Sequence, residues 1–215
     1  MIRARYSLNN YSNLLLDWIF PTKCPICRAL STVCPCEDCL QSLSPHNIEY
    51  DRPTSFLDGA RAIYRYQSLT VDLVQLLKYQ RQTNLSHWMA AQIKGAYDSW
   101  VLDVDYIVPV PVHRTRLAWR GFNQSHLLCT DLPEHKIIVD LVRMKRTRAQ
   151  FRLSPQQRQQ NLVGAFACNR DLKGKKILLI DDVITTGATA HECAKVLKES
   201  GAIWVGLLTF AGTPR

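Results

Sequence analysis

Short unbroken apolar runs alternate along this chain with stretches in which apolar residues recur every third or fourth position. "KKILLID" (175–181) and "AIWVGLLTF" (202–210) are apolar runs of strand length. Such runs fit strands buried on both faces of a parallel sheet. Between them Ala190, Cys193, Ala194 and Leu197 fall at i, i+3, i+4 and i+7, which gives a helix one apolar face. Thr189 followed three residues later by Glu192 predicts a capping box at its start, and Gly201 is placed to end it. Upstream, "GARAIYRY" (59–66), "YIVPVPV" (106–112), "KIIVDLV" (136–142) and "NLVGAFAC" (161–168) predict strands. "TVDLVQLLKYQ" (70–80), "NLSHWMAAQIKGAYDSW" (84–100) and "NQSHLLCTDL" (123–132) predict helices, and the glutamine-rich residues 147–161 a loop with a short helical piece. Alternating strands and helices argue for an α/β domain, a mostly parallel sheet with helices on both faces.

Three zones follow. Residues 1–21 predict an amphipathic helix docked on the body of the protein, residues 22–45 a cysteine module punctuated by prolines, and residues 46–215 the α/β domain. A chain of 215 residues suits one sizeable core and a small appendage. No apolar run reaches the ~18 residues that span a bilayer. The first residues imitate a secretory signal, but Asp17 interrupts their apolar patch and no small-residue cleavage site precedes Pro21. The expected compartment is the cytoplasm.

Charge and cysteines sharpen the picture. The net charge is +9, and from Leu141 to Lys176 ten Lys/Arg face one acid, Asp171. Such a window is either a solvated basic face or a site for a polyanion, nucleic acid or polyphosphate. Five of the eight cysteines lie between positions 24 and 39. In a reducing compartment clustered cysteines point to metal rather than disulfides. Cys24-x2-Cys27 and Cys36-x2-Cys39 form two knuckles able to place four thiolates on one structural Zn²⁺. Cys34 is left spare, although it could replace Cys36 at a less usual spacing.

The chemistry concentrates in "ILLIDDVITTGATA" (177–190). Asp181 and Asp182 end a buried strand, where open parallel sheets bind ligands. The small-residue loop Thr185, Thr186, Gly187, Ala188 and Thr189 then leads into a helix N-terminus. Backbone N–H groups and the helix dipole there suit a phosphate monoester. No lysine sits in the loop, so it is not a Walker P-loop. The acids suit vicinal sugar hydroxyls or a hydrated Mg²⁺. Phosphate, diol and magnesium together describe a 5-phosphoribosyl group. A second motif, "VPVPVHRTRLAWRGFNQS" (108–125), holds His113, Arg114, Arg116 and Arg120 without an acid among them. Arginines there suit a pyrophosphate through bidentate contacts, although Arg116 alone also reads as surface. Trp119 and Phe122 flank Arg120; aromatics beside arginines can stack on bases, while each alone is more often core. A third, "TRAQFRLSPQQRQQNLVGAF" (147–166), contributes Gln150, Leu153, Arg158, Asn161 and Phe166 to a loop of the kind that covers substrate. Arg146, Arg148 and Arg158 join Arg116 and Arg120 as candidates for nucleic acid or pyrophosphate.

"ILLIDDVITTGAT" resembles the signature of type I phosphoribosyltransferases: four apolar residues, two acids, then V-x-T-T-G-x-T. With "PVPVHRTRLAWRGFNQS", the pattern Q-x-x-L-x(4)-R-x-x-N-x(4)-F and the cysteines of "LLLDWIFPTKCPIC", nearly the whole chain resembles the ComF family. That is the competence-associated branch of phosphoribosyltransferase-like proteins, which includes the GntX-type proteins. The resemblance implies Asp181 and Asp182 on the ribose hydroxyls of phosphoribosyl pyrophosphate, Thr185–Thr189 around its 5-phosphate, and Mg²⁺ with the ligand. It also implies a role in natural transformation beside a helicase-like partner. Together with the basic window, it leads to a protein that handles incoming single-stranded DNA. Two alternatives are a salvage phosphoribosyltransferase with an unread acceptor base, and a regulator gated by phosphoribosyl pyrophosphate. At "LKYQRQ" the chain departs from the family, many members of which carry glycine after Lys-Tyr, and this leaves the role of Lys78 open.

Overall fold

The computed structural model describes residues 23–31, 34–79, 83–100, 103–145 and 161–213. The helix expected over 1–21, most of the loop expected over 147–161, and with them Arg146, Arg148, Gln150, Leu153 and Arg158, lie outside the described residues. The chain divides into two compact units, Met1–Leu43 and Ser44–Arg215.

The larger unit is built on a five-stranded sheet of order β1-β2-β7-β6-β3. Its strands are β1 (Ile48–Thr54), β2 (Leu57–Arg65), β3 (Tyr106–Pro109), β6 (Lys176–Ile184) and β7 (Trp204–Gly212). β1 and β2 form an antiparallel hairpin, while β2, β7, β6 and β3 run parallel. This is the mostly parallel sheet that the apolar runs predict. Ile177, Leu178, Leu179 and Ile180 are all fully buried, which is why β6 reads as a continuous apolar run rather than an alternation. On one face Ile177, Leu179, Val205 and Leu207 pack with Cys193, Ala194 and Leu197 of helix α6 (Ala188–Glu199). On the other, Phe210 meets Trp88 of α3 (Thr83–Ser99) with ring centroids 5.7 Å apart. Helix α2 (Leu69–Tyr79) precedes α3 and buries Leu73, Val74 and Leu77. A separate two-stranded sheet pairs β4 (Leu141–Arg143) with β5 (Phe166–Cys168).

Several local expectations change. β1 was not read from the sequence, because Glu49, Asp51, Arg52 and Pro53 break its apolar pattern; only an edge strand tolerates that proline. The strand expected over 106–112 stops at Pro109. Residues 114–120, for which the pattern predicts no element, form helix α4 (Arg114–Arg120), and "NQSHLLCTDL" yields only the single turn α5 (Gln124–Leu127). The smaller unit contains α1 (Glu37–Gln41) and a bridge between Lys23 and Leu30.

Candidate functional site

The site gathers at the carboxyl end of β6. Side chains alternate along a strand, and the two acids accordingly meet different partners. The Ser125 hydroxyl donates to Asp181 Oδ1 over 2.9 Å, and the Asp182 backbone N–H donates to the same oxygen over 2.9 Å. Asp182 is buried and pairs with Lys78 Nζ at 2.6 Å. Burial and the neighbouring Asp182 charge push the Asp181 carboxyl up to about 7, against the pull of Lys78 and its two donors. Burial alone would lower the Lys78 pKa, but the Asp182 and Asp181 carboxylates outweigh it and raise the value above the ordinary one.

The segment after β3 is organised residue by residue around Asp181. His113 caps α4, its Nδ1 accepting from the Thr115 N–H at 3.2 Å. Gly121 ends that helix at φ 85, and its N–H donates to the Leu117 carbonyl at 2.7 Å. Asn123 caps α5 by accepting from the Ser125 N–H at 3.1 Å, while its amide donates to the Val110 carbonyl at 3.1 Å. These bonds tie the turn to β3 and set Ser125 against Asp181. Gln124 accepts from the buried Arg120 guanidinium. Thus the polar part of "RGFNQS" shapes the site.

A small cleft of about 40 Å³ is lined by Asp181, Val183, Ile184, Thr185, Gly187, Ala188, Thr189, Ala190 and Leu207. Four of the five expected loop residues line it, and Thr186 instead accepts from the Ala188 N–H at 3.4 Å. The capping box does not form. Gly187, at φ 76, is the N-cap of α6 without a side-chain cap bond, so the helix starts two residues before the expected position. Glu192 turns to the Gly164 N–H instead, at 3.4 Å. The first turn of a helix has N–H groups without intrahelical partners, and Ala188, Thr189 and Ala190 of that turn line the cleft.

Cations surround the acids. Burial lowers the Arg120 pKa while the Asp182 charge supports it, and burial lowers that of Arg143 while Asp181 supports it; the Arg116 charge acts on both. Arg120, Arg143 and Lys78 therefore lie within electrostatic reach of this end of β6, and Arg116 within reach of Arg120 and Arg143. Arg114 is exposed at the start of α4. Arg116 and Arg120 are legible as site candidates in the sequence, whereas Arg143 and Ser125 are not, and Lys78 stands there without a settled role. Arg143 was hidden among the ten basic residues of its window. A lone serine carries no pattern, and Lys78 is far from the acids along the chain.

In the smaller unit the ligand atoms of Cys24, Cys27, Cys36 and Cys39 all lie within 4.8 Å of one another. Cys24 and Cys39 sulfurs are 3.9 Å apart and those of Cys27 and Cys36 3.5 Å. A tetrahedral ion with metal–sulfur bonds of ~2.3 Å separates its ligands by roughly 3.8 Å, so the donor set fits such an ion. The turn Cys24–Ala29 closes through Cys24 N–H to the Ala29 carbonyl at 2.7 Å, with Arg28 at φ 64. Burial opposes ionisation of Cys24, but backbone N–H groups of Cys36, Cys27 and Ile26 bring its thiol down to about 6. Cys34 is outside the cluster.

No family model matches the chain. Among curated proteins it is 33% identical over 192 residues to the DNA utilization protein YhgH of Escherichia coli strain K12, covering 84% of this chain and 80% of that one. It is 28% identical over 185 residues to the competence protein ComFC of Bacillus subtilis strain 168, covering 83% and 72%. With competence protein F of Haemophilus influenzae it shares 34% identity over 143 residues, covering 60% and 62%. Among solved structures it is similar to an allosteric regulatory enzyme of purine biosynthesis (18% identity, TM-score 0.41), over 62% of this chain and 29% of that one. A purine phosphoribosyltransferase from Pyrococcus horikoshii Ot3 gives 18% identity and a TM-score of 0.31, over 55% and 66%. The length and identity of the match to the YhgH relative establish that the chain belongs to the ComF family.

Proposed function

We propose that the protein acts in natural transformation, handling incoming single-stranded DNA in the cytoplasm and binding phosphoribosyl pyrophosphate with Mg²⁺ at the Asp181 cleft. The observation that carries the ligand half is the meeting, at one strand end, of a carboxylate, a small-residue helix N-terminus and three nearby cations. In this reading the loop Thr185–Thr189 receives the 5-phosphate and Asp181 the ribose hydroxyls. Asp182 reaches them once Lys78 is drawn toward the ligand's negative charge. Arg114 and Arg120 face the pyrophosphate, and Arg116 serves the nucleic acid. Mg²⁺ prefers oxygen ligands and retains water; with the ligand it would neutralise pyrophosphate charge, and the Asp181 carboxylate offers it an oxygen. Support for the DNA half comes from the basic window 141–176 and the names of the competence and DNA-utilization relatives. A helicase-like competence protein is the proposed partner. Cys24, Cys27, Cys36 and Cys39 hold a structural Zn²⁺, with no open coordination position for catalysis.

Calorimetric titration of phosphoribosyl pyrophosphate with Mg²⁺ tests the ligand half. Binding is expected to wild type and to be lost in the double variant Asp181→Asn/Asp182→Asn. Absence of binding to wild type would remove the ligand half and leave the DNA-handling surface. One observation favours a second reading, an active phosphoribosyltransferase: the Asp181 carboxylate and a small-residue helix N-terminus line one cleft. Pyrophosphate release with one member of a base panel would support it.

A further inference from the structure

We infer that Tyr79 and Trp119 form a stacking platform for an unpaired nucleobase of a single-stranded nucleic acid, with Arg116 as its phosphate contact. The inference rests on the proposed single-strand binding and names the surface that performs it.

Trp119 is 67% exposed and Tyr79 55%. Folding ordinarily withdraws rings of this size from water, and single exposed aromatics are unremarkable. Here two exposed rings from different helices meet, with centroids 5.9 Å apart and planes at 64°. They form an open corner in which a flat ring can lie on the indole face.

The pair is held from beneath. Arg120 is buried, donates to Gln124 and lies over the Tyr79 ring at 5.5 Å. Lys78, the residue before Tyr79, is anchored on Asp182. Both ring positions are therefore tied to well-packed neighbours, and a preorganised surface loses little freedom on binding.

Charge selects the ligand class. Residues 108–125 contain no acid. Arg114 is exposed and Arg116 half-buried on the same helix as Trp119, and Asp182, the acid paired with Lys78, is buried. Aromatic rings bordered by arginines are the arrangement by which single strands bind: bases stack while the backbone is neutralised.

The test compares a fluorescein-labelled oligo(dT) with an abasic oligonucleotide of equal length. Trp119→Ala should weaken oligo(dT) binding about tenfold and leave the abasic strand unaffected, and Trp119→Phe should retain the wild-type affinity. Arg116→Ala should weaken both strands and lower the salt slope by about one. Because Trp119 is largely exposed, its substitution leaves the fold intact, which circular dichroism verifies. Unchanged oligo(dT) affinity in Trp119→Ala, or an equal loss on the abasic strand, would overturn the platform while single-strand binding by wild type stood; the rings would then be free for a protein partner. Failure of wild type to bind either strand would overturn the single-strand reading itself, and the platform with it.

Discussion

Asp181 concentrates the electrostatics of this protein in one side chain. Burial and the adjacent Asp182 raise its carboxyl from the ordinary 3.8 to about 7. The folded protein therefore binds a proton that the unfolded chain releases between those values. Stability rises with pH where the unfolded state holds more protons; here the folded state holds more, so the sign reverses. This contribution is fully present below pH 3.8 and is lost as pH rises through about 7. Asp181→Asn should remove it, flattening the melting temperature against pH across that window relative to wild type. Thermal unfolding at a series of pH values measures the effect, and parallel curves for the two proteins would contradict the assignment. The acids themselves were legible as a pair at a strand end. Their partners were not, because Ser125 and Lys78 are brought to them only by the packing of α5 and α2 against the sheet.

At the scale of the element, the turn into α6 shows how one conformation overrides a good local pattern. Thr189 and Glu192 have capping-box spacing, yet Gly187 adopts φ 76 and starts the helix earlier. A left-handed residue costs an L-amino acid about 1–2 kcal/mol. Gly187→Ala should therefore lower stability by about that amount in urea unfolding; a change below a few tenths would mean that the turn relaxes without strain. Helix α4 escaped sequence reading because "RTRLAW" spans two turns and shows no apolar face. Its existence follows from the His113 cap at one end and Gly121 at the other.

The whole molecule joins two solutions to the problem of stability. The Ser44–Arg215 unit buries a sheet on both faces, whereas the Met1–Leu43 unit has little apolar material among its described residues. Such small modules draw their folding energy from a metal. Cys39→Ser should abolish about one equivalent of bound zinc by elemental analysis and release two backbone bonds, Cys24 N–H to the Ala29 carbonyl and Leu40 N–H to the Cys36 carbonyl, to rapid hydrogen exchange. Cys34→Ser should keep the metal, since Cys34 stands outside the four-sulfur cluster. Equal zinc in wild type and Cys39→Ser would refute the site. No helix among the described residues is long and apolar enough to cross a membrane.

By itself the sequence determined what depends on neighbours along the chain. It set the buried strands β6 and β7, the apolar faces of α2, α3 and α6, the small-residue loop after the paired acids and the paired knuckles. Periodicity and short-range spacing carry that information directly. Tertiary structure alone decided which residues far apart in sequence meet: Lys78 with Asp182, Ser125 with Asp181, and Tyr79 with Trp119 over Arg120. It also placed the edge strand β1, whose broken apolar pattern acquires meaning only once β2 offers it a partner. Such contacts arise from chain crossings and packing, and one-dimensional spacing holds no record of them.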